Sequence, residues 1–172
     1  MRRGRPLGLA AAWAGFGVMV AVGIYLPDID QGLPFLTHRS GLTHSVLPIL
    51  ALWRVLAPAL VGGLAVGFAV TLSADLFPAA WTGFATIHLP FAGSIDSYSA
   101  PWLAANVVAA CAIAHREVAY GDTRRLLVLA YLAVAPLAAA IYSIGHEGKI
   151  LPLATFLAVW LAVMALAGAR AR

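Results

Sequence analysis

Two aspartates and two histidines stand close together in the segment LPDIDQGLPFLTHRSGLTHS. Asp28 and Asp30 begin it, and His38 and His44 complete the set within 17 residues. Two carboxylates this close repel each other unless a cation or a proton lies between them. Neutral imidazoles suit zinc, manganese or iron, and carboxylates suit all three. The spacing therefore predicts a divalent metal site, although an isolated Asp-x-Asp is also typical of a capped or solvated helix end.

The two histidines are six residues apart, so they do not share a helix face. They converge if His38 lies in a loop and His44 lies on the first turn of the next helix. Thr43 is then the predicted N-cap of that helix, with its hydroxyl oxygen accepting a hydrogen bond from a free backbone amide. Ser45 is a weak candidate nucleophile, because a serine at a helix start is commonly only a cap.

One cation and one more distant acid complete the candidate site. Arg39 either pairs with Asp28 or Asp30, or holds an anionic group such as a phosphate. Asp75 ends an apolar run, and ionisable residues at membrane depth are functional or paired by default. We therefore predict Asp75 as a fifth metal ligand. Four further residues are kept in reserve as ligands: His88, Asp96, His146 and Glu147.

The elements that must position these residues are apolar. The chain has 172 residues, of which 62% are hydrophobic and 10% charged, more apolar surface than one soluble core would bury. Residues 7–26 form a run of 20 without a charge, which at about 1.5 Å per residue covers the roughly 30 Å hydrocarbon layer. Further apolar runs occupy residues 45–53, 55–72, 101–114, 126–144 and 150–168.

The start of the chain also resembles a signal peptide, with arginines ahead of an apolar stretch. We expect it to be a retained membrane helix, because the stretch is long and no small-x-small site precedes Pro27. The single cysteine, Cys111, lies within an apolar run and cannot form an intramolecular disulfide.

The basic residues indicate membrane orientation. The net charge is +4, but these residues are scattered among the ends of apolar runs, so no nucleic-acid partner is expected. With the N-terminus inside and six crossings, only Arg39 and Lys149 of the 11 basic residues lie outside. The same arrangement places five of seven acids and four of five histidines outside. We predict one all-α domain over residues 1–172, a polytopic membrane bundle of about six helices with both termini cytoplasmic.

Residues 45–72 are the ambiguous part of this arrangement. Pro58 breaks a continuous helix, which favours two limbs joined by a turn at 54–58. The first limb, about 12 residues, rises only about 18 Å, so it would start below the surface with His44 partly inside the membrane. Alternatively, one long kinked helix places Arg116, Arg124 and Arg125 outside.

Three motifs of the candidate site also resemble a known family. Pro27-Asp28-Ile29-Asp30, His38-Arg39 and Thr43-His44-Ser45 resemble the signature of the membrane-bound metal-dependent hydrolases, a group of LexA-regulated inner-membrane proteins. The resemblance extends to Gly67-Phe68 through Asp75 and to Pro90-Phe91, about the first half of the chain. It implies a helical fold and hydrolysis of phosphoesters, by relation to zinc-dependent phospholipases C. One position departs from the family, because Thr71 stands where a histidine is usual, with His88 or His146 as a substitute ligand.

The leading expectation is a bacterial inner-membrane hydrolase with its site on the outer side. Zinc or manganese would be bound by five residues: Asp28, Asp30, His38, His44 and Asp75. The metal would activate a water, with Asp30 and His44 in the catalytic site and Arg39 stabilising developing negative charge. Membrane lipids are the expected partners, and a lipid-linked phosphoester is the expected substrate. The alternatives are a noncatalytic protein with a structural metal or ion path, and a small partner-binding subunit.

Overall fold

A computed structural model describes residues 8–119 and 124–170 of the chain. Arg2, Arg3, Arg5, Asp122 and Arg172, which enter the charge prediction, lie outside these ranges. The helices are α1 (Leu9–Tyr25), α2 (Leu47–Leu52), α3 (Pro58–Asp75), α4 (Ser99–Ala119), α5 (Arg124–Ala140) and α6 (Leu151–Arg170). Short 3₁₀ segments cover Pro27–Gly32, Gly83–Ala85 and Asp96–Tyr98, and a π-helix, Ile141–His146, continues α5. Strand β1 (His88–Leu89) pairs antiparallel with β2 (Gly93–Ser94).

The helices have the length and composition of membrane segments. In the part of the chain that the structure describes, four stretches are long and apolar enough to cross a membrane: Pro58–Asp75, Asp96–Ala119, Leu127–His146 and Leu151–Ala169. Helix α1 is also apolar but has only 17 residues. The predicted helical fold is therefore confirmed, and its apolar helices suit a membrane protein, whereas the count of six crossings and the side of the termini stay predictions.

Helix α3 forms the centre of the bundle. Its residues from Ala59 to Ala74 are all buried except Leu60, and they are apolar on every side. A helix that is hydrophobic all round belongs in the interior, surrounded by other helices. Here α1 and α4 supply its main neighbours.

Glycines allow α1 and α3 to approach closely. Gly63 and Gly67 form a G-x-x-x-G pair, and a side chain at either would collide with the backbone of α1, at Phe16 or Val20. Small residues at this spacing are the usual means of close helix contact in membranes. Gly63 meets Phe16 and Gly67 meets Val20, so the two helices run parallel. Their carboxyl ends, near Asp28 and Asp75, therefore lie at the same end of the bundle.

Helix α4 runs in the opposite direction to α3. Gly62, near the start of α3, faces Val118 near the end of α4. At its other end, the Ser99 hydroxyl accepts a hydrogen bond of 2.9 Å from the Ile87 amide. The start of α4 and the link from α3 thus join the carboxyl ends of α1 and α3, and we call this the site end of the bundle.

Residues 45–72 form two limbs, α2 and α3, as one interpretation predicted. Helix α2 ends at Leu52 and α3 begins at Pro58, so the alternative of one kinked helix is wrong. The first limb is shorter than expected, because α2 has six residues and rises only about 9 Å. It descends beside α4: the Val46 amide donates to Asn106 Oδ1 at 2.9 Å, and the Trp53 ring lies 5.2 Å from the Arg116 guanidinium.

Candidate metal centre

A proline ends α1 and starts the turn that carries both aspartates. Helix α1 stops at Tyr25, as expected from Pro27, and the chain continues as the 3₁₀ segment Pro27–Gly32. Asp28 lies half-buried, and its Oδ1 accepts a hydrogen bond of 3.1 Å from Gln31. Asp30 is buried at 2% exposure. The tight turn thus directs one aspartate to the rim of the site and the other into the protein.

Asp30 holds the following loop in place. Its Oδ2 accepts hydrogen bonds from the Ser40 amide at 2.8 Å and from the Thr43 hydroxyl at 2.9 Å. Burial by itself raises the pKa of the Asp30 carboxyl, but these bonds and the nearby His44 outweigh it and hold the pKa below its usual value. Asp30 is therefore a carboxylate, and an anion is buried at the centre of the site.

Thr43 has a different role from the predicted helix cap. Helix α2 begins at Leu47, too far along the chain for Thr43 to cap it. The Thr43 hydroxyl donates to Asp30 and lies 3.1 Å from His44 Nδ1. Thr43 therefore links Asp30 and His44, two of the predicted metal ligands. The cap prediction was wrong because residues after Thr43 continue as turns before the helix starts.

His44 lies between two carboxylates from different parts of the chain. It is fully buried, with Nδ1 3.4 Å from Asp30 Oδ2 and Nε2 3.5 Å from Asp75 Oδ2. A carboxylate beside one ring nitrogen of a histidine favours the proton on that nitrogen and leaves the other as a metal ligand. Both ring nitrogens of His44 have a carboxylate neighbour. A proton on Nδ1 would leave Nε2 and Asp75 Oδ2 as a nitrogen–oxygen pair of metal donors.

The remaining two predicted ligands lie on the other side of Asp30. Asp28, Asp30 and His38 each offer one ligand atom within 4.8 Å of the others. His38 Nδ1 is 3.7 Å from Asp30 Oδ1, and the His38 and His44 rings are 6.5 Å apart. The fold thus brings all five predicted ligands into one connected cluster, with Asp30 and His44 at its middle.

Three atoms of this cluster are buried without a hydrogen bond. Within residues 8–119 and 124–170, no partner is found for Asp30 Oδ1, His44 Nε2 or Asp75 Oδ2. A buried polar atom left without a partner costs about 1–3 kcal/mol, and native proteins contain few of them. Asp30 Oδ1 faces Asp28 and His38, whereas His44 Nε2 and Asp75 Oδ2 face each other at 3.5 Å. Bound cations at these two places would account for the three atoms, and nitrogen with carboxylate oxygen is the donor set of zinc or manganese.

Arg39 pairs with Asp75 rather than with the expected Asp28 or Asp30. One guanidinium nitrogen donates to Asp75 Oδ1 at 2.7 Å, and another donates to the Ala85 carbonyl at 2.7 Å. Arg39 has a left-handed backbone, with φ 55°, which turns its side chain toward these acceptors. It connects the first loop to the end of α3 and to the loop after it.

The reserve ligands have separate surroundings. His88 hydrogen-bonds through its backbone to Arg39 and Gly41, at 3.0 and 2.7 Å, so it borders the loop that carries the site. The other three lie among neighbours of their own: Asp96 accepts from Ser94, His146 stacks on Tyr142, and Glu147 lies near Lys149. Of the four, His88 is the one attached to the candidate site by hydrogen bonds.

Thr71 serves the packing of the helices. Its hydroxyl donates to the Ile24 carbonyl at 2.7 Å, which fastens α3 to the last turn of α1. Thr71 lies one turn before Asp75, where the resemblance implies a histidine. In this chain that position stabilises the two helices that carry Asp28 and Asp75.

Two residues of α4 that sequence reasoning missed hold the backbone around His44. Trp102 Nε1 donates to the His44 carbonyl at 3.0 Å, and Asn106 accepts from the Val46 amide. Asn106 was recognisable, because it is the one side-chain amide in the apolar run 101–114 and such residues seldom lack a partner there. The Ser45 hydroxyl accepts a hydrogen bond from the Leu47 amide at 3.3 Å and donates one to the Leu42 carbonyl at 3.2 Å, so it is engaged with the local backbone before α2.

Comparison of the chain with protein-family models, with curated proteins and with solved structures finds no match.

Proposed function

We propose that this chain is a membrane-bound metal-dependent hydrolase of phosphoesters. One observation carries the proposal: within the described residues Asp30 Oδ1 is buried without a hydrogen bond, and Asp28, Asp30 and His38 each offer a ligand atom within 4.8 Å of the others. A cation there would satisfy Asp30 Oδ1, and a second one beside His44 Nε2 and Asp75 Oδ2, which are 3.5 Å apart, would satisfy the other two atoms. The candidate ligands come from the loop after α1 and from the end of α3, a donor set suited to zinc or manganese.

The chain's own residues would prepare this site in three ways. Asp30 would orient the His44 ring through Nδ1, and Thr43 would orient Asp30. Arg39 would hold Asp75 by one oxygen and leave the other toward His44. A bound divalent ion would supply an activated water and polarise the phosphoester. Arg39 contributes positive charge nearby, although its hydrogen bonds make it first a positioning residue for Asp75.

The proposed location is the bacterial inner membrane, with six crossings and the site end outside. Support comes from the distribution of charge between the two ends of the bundle. Among the described residues, Arg39 and Lys149 lie at the site end, whereas five basic residues lie at the opposite end of the bundle: Arg54, Arg116, Arg124, Arg125 and Arg170. Basic residues favour the cytoplasmic side, so the end with Arg116 is the inner one. The segment from Val46 to Trp53 would supply the short second crossing.

A second candidate is a noncatalytic protein with a structural metal site. It is favoured by the engagement of Arg39 with both Asp75 and Ala85, and by the use of Thr71 for helix packing. In this case the ion would only join the loop after α1 to the end of α3. Both candidate functions include a bound metal ion, but only the hydrolase would turn over a phosphoester substrate.

The test is elemental analysis of detergent-purified protein after dialysis against a mixture of zinc and manganese. His44→Ala and Asp28→Asn remove predicted ligands, whereas His115→Ala and Asp96→Asn are matched changes elsewhere. We expect stoichiometric metal in the parent and in the two control variants. The ligand variants should lose it while keeping the helical circular dichroism of the parent.

Hydrolysis of bis-para-nitrophenyl phosphate then separates the two candidates. Metal-dependent turnover that is lost with His44→Ala supports the hydrolase. Stoichiometric metal without turnover of this or of phospholipid substrates favours the structural site. Absence of metal from the parent protein would refute both.

A further inference from the structure

A lateral groove runs between α1 and α5 toward the site end. Its volume is about 310 Å³, and it extends along α1 from Gly17 to Tyr25 and along α5 from Val134 to His146 of the π-helix. On α1 this spans nine residues, or about 12 Å of helix from the first to the last. Both helices belong to the apolar bundle, so in a membrane the groove faces the hydrocarbon layer.

The polarity of the groove changes along its length. The part nearer Gly17 and Val134 is lined by glycine, alanine and aliphatic side chains. Only at the site end do groups with polar atoms appear, namely Tyr25, Tyr142 and His146. An apolar channel with polar groups at one end fits an amphiphile with one hydrocarbon chain inside. A helix of a partner protein would instead require an apolar face along the whole length.

The groove continues into the candidate metal centre. A second depression shares Ala21 and Tyr25 with it and is lined also by Leu26 and Asp28. Asp28 is one of the three residues whose ligand atoms lie within 4.8 Å of one another. A path thus leads from the membrane-facing groove, past Tyr25, to the rim of the metal centre.

We propose that this groove binds one hydrocarbon chain of a bilayer phospholipid whose phosphate reaches the candidate metal centre. The assignment rests on the proposed function, because it names the substrate class of the same site. It places the chain between α1 and α5 and the headgroup beside Asp28. It also gives the π-helix a role, because this segment carries Tyr142 and His146 at the entrance.

Gly17 offers a way to fill the groove without disturbing the fold. Among the described residues, a Cβ added at Gly17 would meet no atom within 4 Å, because it would point into the open groove. Gly168 of α6 is a matched control, because an added side chain there also meets nothing within 4 Å and Gly168 does not line the groove. Gly17→Leu therefore blocks the groove, whereas Gly168→Leu leaves it open.

The experiment uses the full chain in phosphatidylcholine vesicles that contain phosphatidylglycerol with a photoactivatable diazirine in one acyl chain. After illumination, labelled peptides are mapped by mass spectrometry, with α6 as the reference for ordinary lipid contact. We expect peptides with residues 17–25 and 134–146 to be labelled several-fold above α6. Gly17→Leu should remove this excess, and Gly168→Leu should keep it.

Labelling that is equal on all membrane helices, or insensitive to Gly17→Leu, would overturn the groove assignment. The metal content and the hydrolysis of the water-soluble bis-para-nitrophenyl phosphate are measured on the same preparations. Both should be unchanged in Gly17→Leu while hydrolysis of phosphatidylglycerol falls several-fold. If the labelling excess is missing while metal content and hydrolysis of bis-para-nitrophenyl phosphate are intact, only this inference is refuted. Absence of metal from the parent protein would instead refute the proposed function.

Discussion

The Arg39 guanidinium holds the Asp75 carboxylate by one oxygen, at 2.7 Å, across 36 positions of sequence. The second oxygen of Asp75 is thereby left facing His44, 3.5 Å from Nε2. The ion pair thus determines which lone pair of Asp75 enters the metal centre. This relationship makes Arg39 a positioning residue with a measurable effect on metal affinity.

Replacing Arg39 with lysine should weaken metal binding. A lysine ammonium cannot donate in two fixed directions, so it cannot hold Asp75 and the Ala85 carbonyl together as the guanidinium does. Groups that orient metal ligands are typically worth about 10–100-fold in affinity, and we expect Arg39→Lys to lose zinc affinity in this range. Competitive titration against a zinc indicator measures it. Arg116→Lys is the control, and equal affinity in Arg39→Lys and the parent would contradict the positioning role.

The Thr43 hydroxyl should stabilise the fold through Asp30. In Thr43→Val the buried carboxylate loses one of its donors without a change in side-chain shape. An unsatisfied buried group costs about 1–3 kcal/mol, and we expect the free energy of unfolding to fall by this amount. Thr43→Ser keeps the hydroxyl and should stay near the parent. Denaturant unfolding of the metal-free protein in detergent provides the comparison, and equal losses in both variants would point to packing instead.

Thr71 should affect stability but not metal content. Thr71→Val removes the hydrogen bond to the Ile24 carbonyl and keeps the shape of the side chain. We expect the free energy of unfolding to fall by about 1 kcal/mol. Elemental analysis should give the same stoichiometry as the parent. Loss of metal in this variant would show that Thr71 contributes to the site, as the family resemblance implies for its position.

The close contact of α1 and α3 should be sensitive to one methyl group. A Cβ at Gly67 would collide with the Val20 carbonyl and approach the Ile24 amide to 2.7 Å, so the helices must move apart. Overpacking of this kind costs about 1–3 kcal/mol, and we expect a lowered Tm in Gly67→Ala. Gly17→Ala has open space and should unfold at the parent's Tm or above. Equal Tm values for the two variants would contradict the parallel packing.

Sequence reasoning predicted the helical membrane character and the set of candidate ligands. Both follow from local properties: apolar runs must be buried in lipid or protein, and clustered acids and histidines need a counter-charge. The end of α1 before Pro27 was also predictable, since proline restricts the residue before it. The break between α2 and α3 was favoured for a similar reason at Pro58.

The partners of individual side chains were decided by the tertiary structure. Arg39 pairs with Asp75 rather than with Asp28 or Asp30, which are nearer in sequence, because the left-handed turn at Arg39 and the end of α3 meet in space. Thr43 faces Asp30 because α2 begins at Leu47. Neither relationship has a local signal in the sequence.

The sequence by itself determined which residues carry chemistry and which segments are apolar, because charge, side-chain type and spacing are properties of the chain. Only the tertiary structure decided that Asp75 joins the first loop, since this depends on glycines at positions 63 and 67 that let α1 and α3 pack in parallel. The groove between α1 and α5 likewise arises from packing between helices far apart in sequence. Long-range contacts of this kind are selected by the fit of whole surfaces, which no local pattern encodes.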